Sequence, residues 1–254
     1  MYDKLKEILE LDKPSTKIHE ILIFLPELSA LKGVEEKQKQ THKDMFIHTM
    51  IVLDNVASVS EKLNLRYAAL VHDIGKTSTK RFESVGWTFH NHQFVGAKMI
   101  PAIGKRLGIP KDLTKYAQEI AALHHRPIES AKKGVTDSAI RRLMTDAGDL
   151  LDDLMLFCRC DVTTRHQYKR HKCMANFDFL QKRINEVKKK DEKAKFQSPV
   201  RGDEIMKICD LTPGREVGRI KGMIESAILA GEISNDYDAA LKYLLKIKKM
   251  LFFG

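Results

Sequence analysis

Val71-His72-Asp73-Ile74-Gly75-Lys76 places an imidazole and a carboxylate side by side where an apolar helix comes to its end. Alone, the pair His72-Asp73 is a weak signal. Its weight comes from the neighbouring helical patterns. Across residues 46–59 the inward stripe at spacings of three and four is His48, Val52, Val56 and Val59. Across residues 113–125 it is Leu113, Tyr116, Ala117, Ile120 and His124, and across residues 150–166 it is Leu150, Leu154, Phe157, Cys158 and Asp161. Each stripe carries one polar donor among apolar neighbours. A single histidine in such a place is ordinarily a core residue satisfied by hydrogen bonds. A buried carboxylate is costly without a cation or a donor, so Asp161 demands a partner. Imidazole nitrogens and carboxylate oxygens together are the ligands that zinc, iron and manganese take. Supplied from separate helices, they would meet in the core of a bundle.

Further along the chain the same helical period recurs, and convincing period-two runs are absent. Leu5, Ile8 and Leu9, then Ile18, Ile21, Leu22 and Leu25, predict two opening helices. Others are predicted at residues 44–62, 66–74, 94–107 (with a kink or break at Pro101), 113–125, 138–145, 150–166 and 172–188. Trp87-Thr88-Phe89 is assigned to a loop, with an extended run as the alternative. Lys188-Lys189-Lys190-Asp191-Glu192-Lys193-Ala194-Lys195 is either the frayed end of a long helix or a solvated linker. It separates a domain at residues 1–195 from a tail at 196–254, where helices are expected at 203–209, 216–230 and 238–250, the second capped by Gly231. The expected fold class is all-α, a helical bundle with a small helical tail.

Composition narrows the partners. Lys and Arg total 44 against 34 Asp and Glu, a formal charge of +10. That surplus favours a phosphorylated small molecule, a nucleotide or RNA, although a basic solvated surface would look the same. No apolar run approaches the length of a membrane span, and Met1-Tyr2-Asp3-Lys4-Leu5-Lys6-Glu7 is too charged for a signal sequence, so no membrane partner is expected. Cys158, Cys160, Cys173 and Cys209 are too few and too irregular for a disulfide framework. A reducing cytoplasmic setting is the expectation.

With Ile74-Gly75-Lys76 behind it, the His72-Asp73 pair resembles the HD superfamily of metal-dependent phosphohydrolases. The family pattern is a first His, an adjacent His-Asp and a distant Asp. Here His48 in Phe46-Ile47-His48-Thr49 matches the first, and Asp161 in Arg159-Cys160-Asp161-Val162 the last. His92, in His92-Gln93-Phe94-Val95-Gly96-Ala97, is similar to a further family segment, and His124-His125 to the double His of members that hold two metals. Helical spacing favours His124 as the inward ligand, with His125 supporting or substituting. The resemblance implies one or two divalent transition ions (Fe, Mn, Ni, Co or Zn), with Asp73 as the bridge between a pair. It implies a phosphate contact for Lys76, and Arg126 is a weaker candidate for the same task. At both positions a plain surface role is the alternative.

A more specific resemblance covers about residues 20–247. Leu25-Pro26-Glu27-Leu28-Ser29-Ala30-Leu31-Lys32-Gly33-Val34, His42, and the tail Leu211-Thr212-Pro213-Gly214-Arg215-Glu216-Val217-Gly218-Arg219-Ile220 are similar to the HD region and tail of bacterial CCA-adding enzymes and their poly(A) polymerase relatives. The Gly-Ser loop and paired carboxylates of the nucleotidyltransferase head are not in this sequence, so nucleotide addition is not implied. The Gly-Tyr-Pro extension of cyclic-dinucleotide phosphodiesterases is missing as well. The implied function is hydrolysis of a phosphomonoester or phosphodiester of a nucleotide or RNA end, with Asp73 and Lys76 as catalytic residues. The alternative is a tRNA- or RNA-binding module that keeps the scaffold, with Arg201, Arg215, Arg219 and Lys221 of the tail as its basic side.

Overall fold

A computed structural model describes residues 1–38, 41–83, 86–195 and 197–252 of the chain. They fall into two compact units, Met1–Val187 and Lys188–Gly254. The first opens with helix α1 (Tyr2–Leu9), three single 3-10 turns at Pro14–Thr16, Ile18–Glu20 and Leu22–Phe24, and the one-turn α2 (Pro26–Ser29). An antiparallel hairpin, β1 (Glu35–Gln38) with β2 (Thr41–Asp44), leads into α3 (Met45–Ala57), α4 (Leu63–Val71) and the short α5 (Lys76–Thr79). A second hairpin, β3 (Arg81–Glu83) with β4 (Gly86–Thr88), precedes α6 (His92–Leu107), α7 (Lys111–Leu123), α8 (His125–Ser130), α9 (Asp137–Ala147) and α10 (Leu151–Cys160). The long α11 (Gln167–Lys195) runs across the division between the units. The second unit holds α12 (Gly202–Cys209), α13 (Arg215–Leu229) and α14 (Tyr237–Phe252) around Ile205, Ile220, Ile224, Leu244 and Ile247.

Helix α4 is the axle of the first unit. All its residues from Leu65 to Val71 are buried, so it is apolar all round, as expected of a helix enclosed by others. It packs against α1, α3, α7 and α10. Because α4 lies at the centre, its C-terminal end delivers His72 and Asp73 to the centre too. The exception to its apolar sequence is Arg66, 5% exposed. Its guanidinium donates to the carbonyls of Ser60, Leu9, Leu11 and Ala57, which are the ends of α1 and α3 and the loop after α3. Helix-end carbonyls have no partner within their own helix, and Arg66 satisfies several at once. Arg66→Leu is expected to cost about 2–3 kcal/mol, since charged hydrogen bonds are lost and buried carbonyls stranded. A thermal melt within about 1 °C of the wild type would refute that role.

Several sequence-based expectations are corrected. The second opening helix is a chain of 3-10 turns, in keeping with steps of three at Leu22, Leu25, Leu28 and Leu31 and with helix-interrupting Pro14 and Pro26. Helix α6 runs unbroken through Pro101, held by the burial of Ile100 and Ile103 on either side. Trp87-Thr88 is extended, paired in a hairpin whose strands are too short to show a periodic signal. Val59 lies beyond the end of α3 and is exposed, so it leaves the inward stripe. The helix expected to reach residue 166 stops at Cys160, leaving Asp161 at its C-cap before the β-branched Val162-Thr163-Thr164. In the second unit Gly231 caps α13 in the left-handed conformation, with φ 74°.

Candidate metal centre

Three of the central histidines stand at helix ends, and the fold uses that placement. His72 and His124 are the C-caps of α4 and α7, and His92 is the first residue of α6. Each turns Nδ1 back onto the carbonyl three residues earlier: His72 to Ala69 at 2.9 Å, His92 to Phe89 at 2.8 Å and His124 to Ala121 at 2.7 Å. A carbonyl can only accept, so Nδ1 carries the proton in all three rings. Nε2 is then the atom turned inward, which is how backbone carbonyls orient metal-binding imidazoles. His48, on α3, places Nδ1 3.0 Å from the Thr163 hydroxyl. His92 follows Asn91, the N-cap of α6, which is left-handed at φ 62°, a conformation Asn tolerates better than most residues.

The inward atoms sort into two groups around one carboxylate. Oδ2 of Asp73 lies 3.2 Å from His72 Nε2 and 3.4 Å from His48 Nε2. Oδ1 lies 3.2 Å from His92 Nε2 and 3.9 Å from His124 Nε2. Asp161 joins the first group, its Oδ1 2.9 Å from His48 Nε2 and 3.8 Å from His72 Nε2. His125 joins the second, its ring 4.7 Å from that of His92 and 4.5 Å from that of His124. The donor atoms of His48, His72 and Asp161 lie within 4.8 Å of one another, and so do those of His92, His124 and His125. Phe157 stacks edge-on against His72 and His124 and keeps this side of the cluster apolar.

Lys76 and Arg126 have different fates. Lys76 is buried on α5 with Nζ 2.9 Å from Asp73 Oδ2 and 3.4 Å from the Met45 sulfur. Arg126, on α8, is ion-paired with Asp146 of α9. Gly75 serves by its lack of a side chain, not by an unusual conformation. Its backbone is ordinarily helical, at φ −67° and ψ −15°. A Cβ there would stand 2.2 Å from the His92 carbonyl oxygen and 2.5 Å from the Gly96 nitrogen. Glycine permits the start of α5 to touch the start of α6, which is what brings His92 beside Asp73.

The electrostatics suit a cation. Burial alone would raise the Asp73 carboxyl, but His72, Lys76 and His48 outweigh it and hold it well below the usual carboxylate range. Burial likewise opposes ionisation of Asp161, and the His48 contact overrides it, so its carboxyl too is held low. Burial, reinforced by His72, holds His124 well below the usual imidazole range, so it stands neutral. Among the described residues, the buried side-chain nitrogens and oxygens without an aligned hydrogen bond are Tyr67 Oη and five atoms of this cluster: His72 Nε2, His92 Nε2, both Asp73 oxygens and Asp161 Oδ1. Each such group costs about 1–3 kcal/mol when left unmet. Their concentration in one place suits divalent ions, which take imidazole nitrogens and carboxylate oxygens together.

The sequence did not single out Thr163, the partner of His48, and it placed Cys158 on an apolar stripe without the role its thiol takes, donating to the His124 carbonyl at 3.0 Å. The Thr163 contact spans 115 positions and leaves no local trace. The carbonyls three residues before His72, His92 and His124 follow from each histidine's place at a helix end, which the predicted bounds 66–74, 94–107 and 113–125 missed.

With this geometry in hand, comparison with known proteins gives concordant findings. The HD domain family model matches residues 45–166. A multifunctional CCA protein of Vibrio parahaemolyticus is 30% identical over 146 residues, 56% of this chain and 35% of the relative. One from Cupriavidus metallidurans is 32% identical over 146 residues, with the same two shares. One from Alcanivorax borkumensis is 35% identical over 111 residues, 42% of this chain and 26% of the relative. The matched stretches thus span about a third or less of those relatives' own length.

Proposed function

We propose that this chain, which carries an HD domain over residues 45–166, is a metal-dependent phosphohydrolase acting on a phosphomonoester or phosphodiester of a nucleotide or RNA end. The observation that carries this reading is the Asp73 carboxylate, whose two oxygens face two separate groups of imidazoles. His48, His72 and Asp161 would hold one ion and His92, His124 and His125 a second, with Asp73 common to both. Nitrogen and oxygen donors of this kind suit Fe, Mn, Ni, Co or Zn. Bound divalent ions supply an activated water at neutral pH and neutralise phosphoryl charge. The chain's own part is orientation and charge. Backbone carbonyls fix three imidazoles, Phe157 excludes water behind them, and Lys76 presents a cation beside Asp73 for the substrate's phosphate. The hydrolase would occupy residues 1–195, and the tail at 196–254 would be an appended helical module.

A panel of 2′,3′-cyclic nucleotides, nucleoside monophosphates and an aryl phosphate, run across several divalent metals, tests the assignment. Lys76→Ala is expected to retain metal while kcat/KM falls about 100-fold, the scale for a lost charge-stabilising donor. Unchanged kcat/KM would remove Lys76 from the phosphate site. The fully metallated protein turning over none of these esters would overturn the hydrolase reading.

One observation favours RNA as a partner alongside this chemistry. Between Asp161 and Asp178 the sequence has no acidic residue, yet it contains Arg165, Lys169, Arg170 and Lys172, all exposed. The tail cations are in part neutralised within their own helix, Arg219 by Glu216 at 3.0 Å and Lys221 by Glu225 at 3.8 Å. If RNA binds, the start of α11 is therefore the stronger basic surface. Tight RNA binding by a metallated protein without turnover would favour the binding-module reading.

A further inference from the structure

The hairpin β3–β4 is rooted in the centre at both ends. Its first strand follows α5, which begins at Lys76, and its second strand leads within five residues to His92. At most about 17 Å of extended chain separates Trp87 from His92. The turn that carries the His92 N–H to the Phe89 carbonyl shortens that span.

This hairpin carries an unusual surface. Phe82 and Trp87 are register partners, their rings 5.1 Å apart and edge-on, and Phe82 is 70% exposed. The Lys80 ammonium lies 4.4 Å from the Trp87 ring centroid, covering one of its faces. Of the two rings, Phe82 is the more exposed, Trp87 being half-buried. Two cations, Lys80 and Arg81, stand at the start of the same limb, and the buried Lys76 lies at the head of the preceding helix α5. The one acidic side chain described on the strands, Glu83, faces His90 at 3.4 Å. Phe89 continues the aromatic surface inward, with the Lys76 ammonium 5.7 Å from its centroid. Phe82 packs edge-on against Trp87 and still leaves most of its surface in water. An exposed ring flanked by cations has the chemistry of a platform for a nucleobase, whose phosphate the cations attract.

We infer that the β3–β4 hairpin is the base-binding subsite of this protein, stacking the nucleobase of a nucleotide or RNA end on Phe82 while the phosphate lies towards Lys76. The placement of the phosphate rests on the phosphohydrolase reading above; the stacking surface does not. The site therefore prefers base-bearing phosphoesters to sugar phosphates.

Trp87 is the single tryptophan of the chain, so its emission reports on this hairpin alone. The full-length, metal-loaded protein is titrated with adenosine 5′-monophosphate and, separately, with ribose 5-phosphate. The nucleotide should quench or shift Trp87 emission and half-saturate at a concentration about tenfold or more below that for ribose 5-phosphate. Phe82→Ala, at an exposed position, should weaken nucleotide binding about tenfold, within the range for loss of one stacked base. Phe82→Tyr should restore it. Equal half-saturation by the two ligands, or unaltered nucleotide binding in Phe82→Ala, would overturn the inference. Emission reads binding without turnover. A protein that hydrolyses phosphoesters yet shows no base effect loses only this subsite, whereas a base effect without hydrolysis on any ester refutes only the hydrolase.

Discussion

Asp73→Ala is expected to empty both halves of the centre at once. Metal loading followed by dialysis should leave one or two transition ions per wild-type chain and a small fraction of that in the variant. The reason lies in the carboxylate's position. Its Oδ2 serves His48 and His72, and its Oδ1 serves His92 and His124, and among the described residues no other side chain stands in both groups. Loss even of a residue that merely orients a ligand commonly costs 10–100-fold in metal affinity, so loss of a shared ligand should exceed about 100-fold. Hydrolytic activity should vanish with the metal, in contrast to Lys76→Ala, which should keep the metal and lose efficiency. Elemental analysis of both variants distinguishes the cases, and equal metal content in wild type and Asp73→Ala would sink the assignment.

Gly75→Val should be the most damaging substitution outside the donors themselves. A Cβ at 2.2 Å from the His92 carbonyl oxygen meets backbone, not a flexible side-chain end, so the start of α5 and the start of α6 must separate. Overpacking of a tight core costs about 1–3 kcal/mol where side chains can adjust, and a backbone collision should exceed about 4 kcal/mol. In a chain of this size that corresponds to a fall of roughly 8–16 °C in Tm. His92 would be carried away from Asp73, and the second group would lose metal before the first. Gly96→Ala offers the control, since a Cβ there meets its nearest backbone atom at 3.2 Å. A Gly75→Val melt no lower than that of Gly96→Ala would show that the approach of the two helices is not tight.

The donors illustrate what a sequence can and cannot carry. His48, His124 and Asp161 are legible because a polar residue on an otherwise apolar helical stripe violates a local period, and burial follows that period. The helices of the second unit are equally legible: apolar spacing, a turn at Pro213-Gly214 and a capping glycine at Gly231 are all local signals. By the same logic Val59 misled, because its spacing continues the stripe while the helix itself ends at Ala57. Asp161 was placed inside a helix for a similar reason, although it stands at the terminus.

Tertiary structure alone decided how the donors group. Nothing near His48 in sequence indicates Thr163, and nothing near Asp73 indicates that its two oxygens divide the histidines between them. The role of Gly75 likewise emerged only from the approach of α6, because its own dihedral angles are ordinary. The hairpin that exposes Phe82 is too short for any period to reveal. By itself, then, the sequence determined most of the helices and most of the buried stripe on each, since burial leaves a regular trace along the chain. Which buried groups meet, and through which backbone contact, depends on pairings between distant segments, and those are set by the packing of helices around α4.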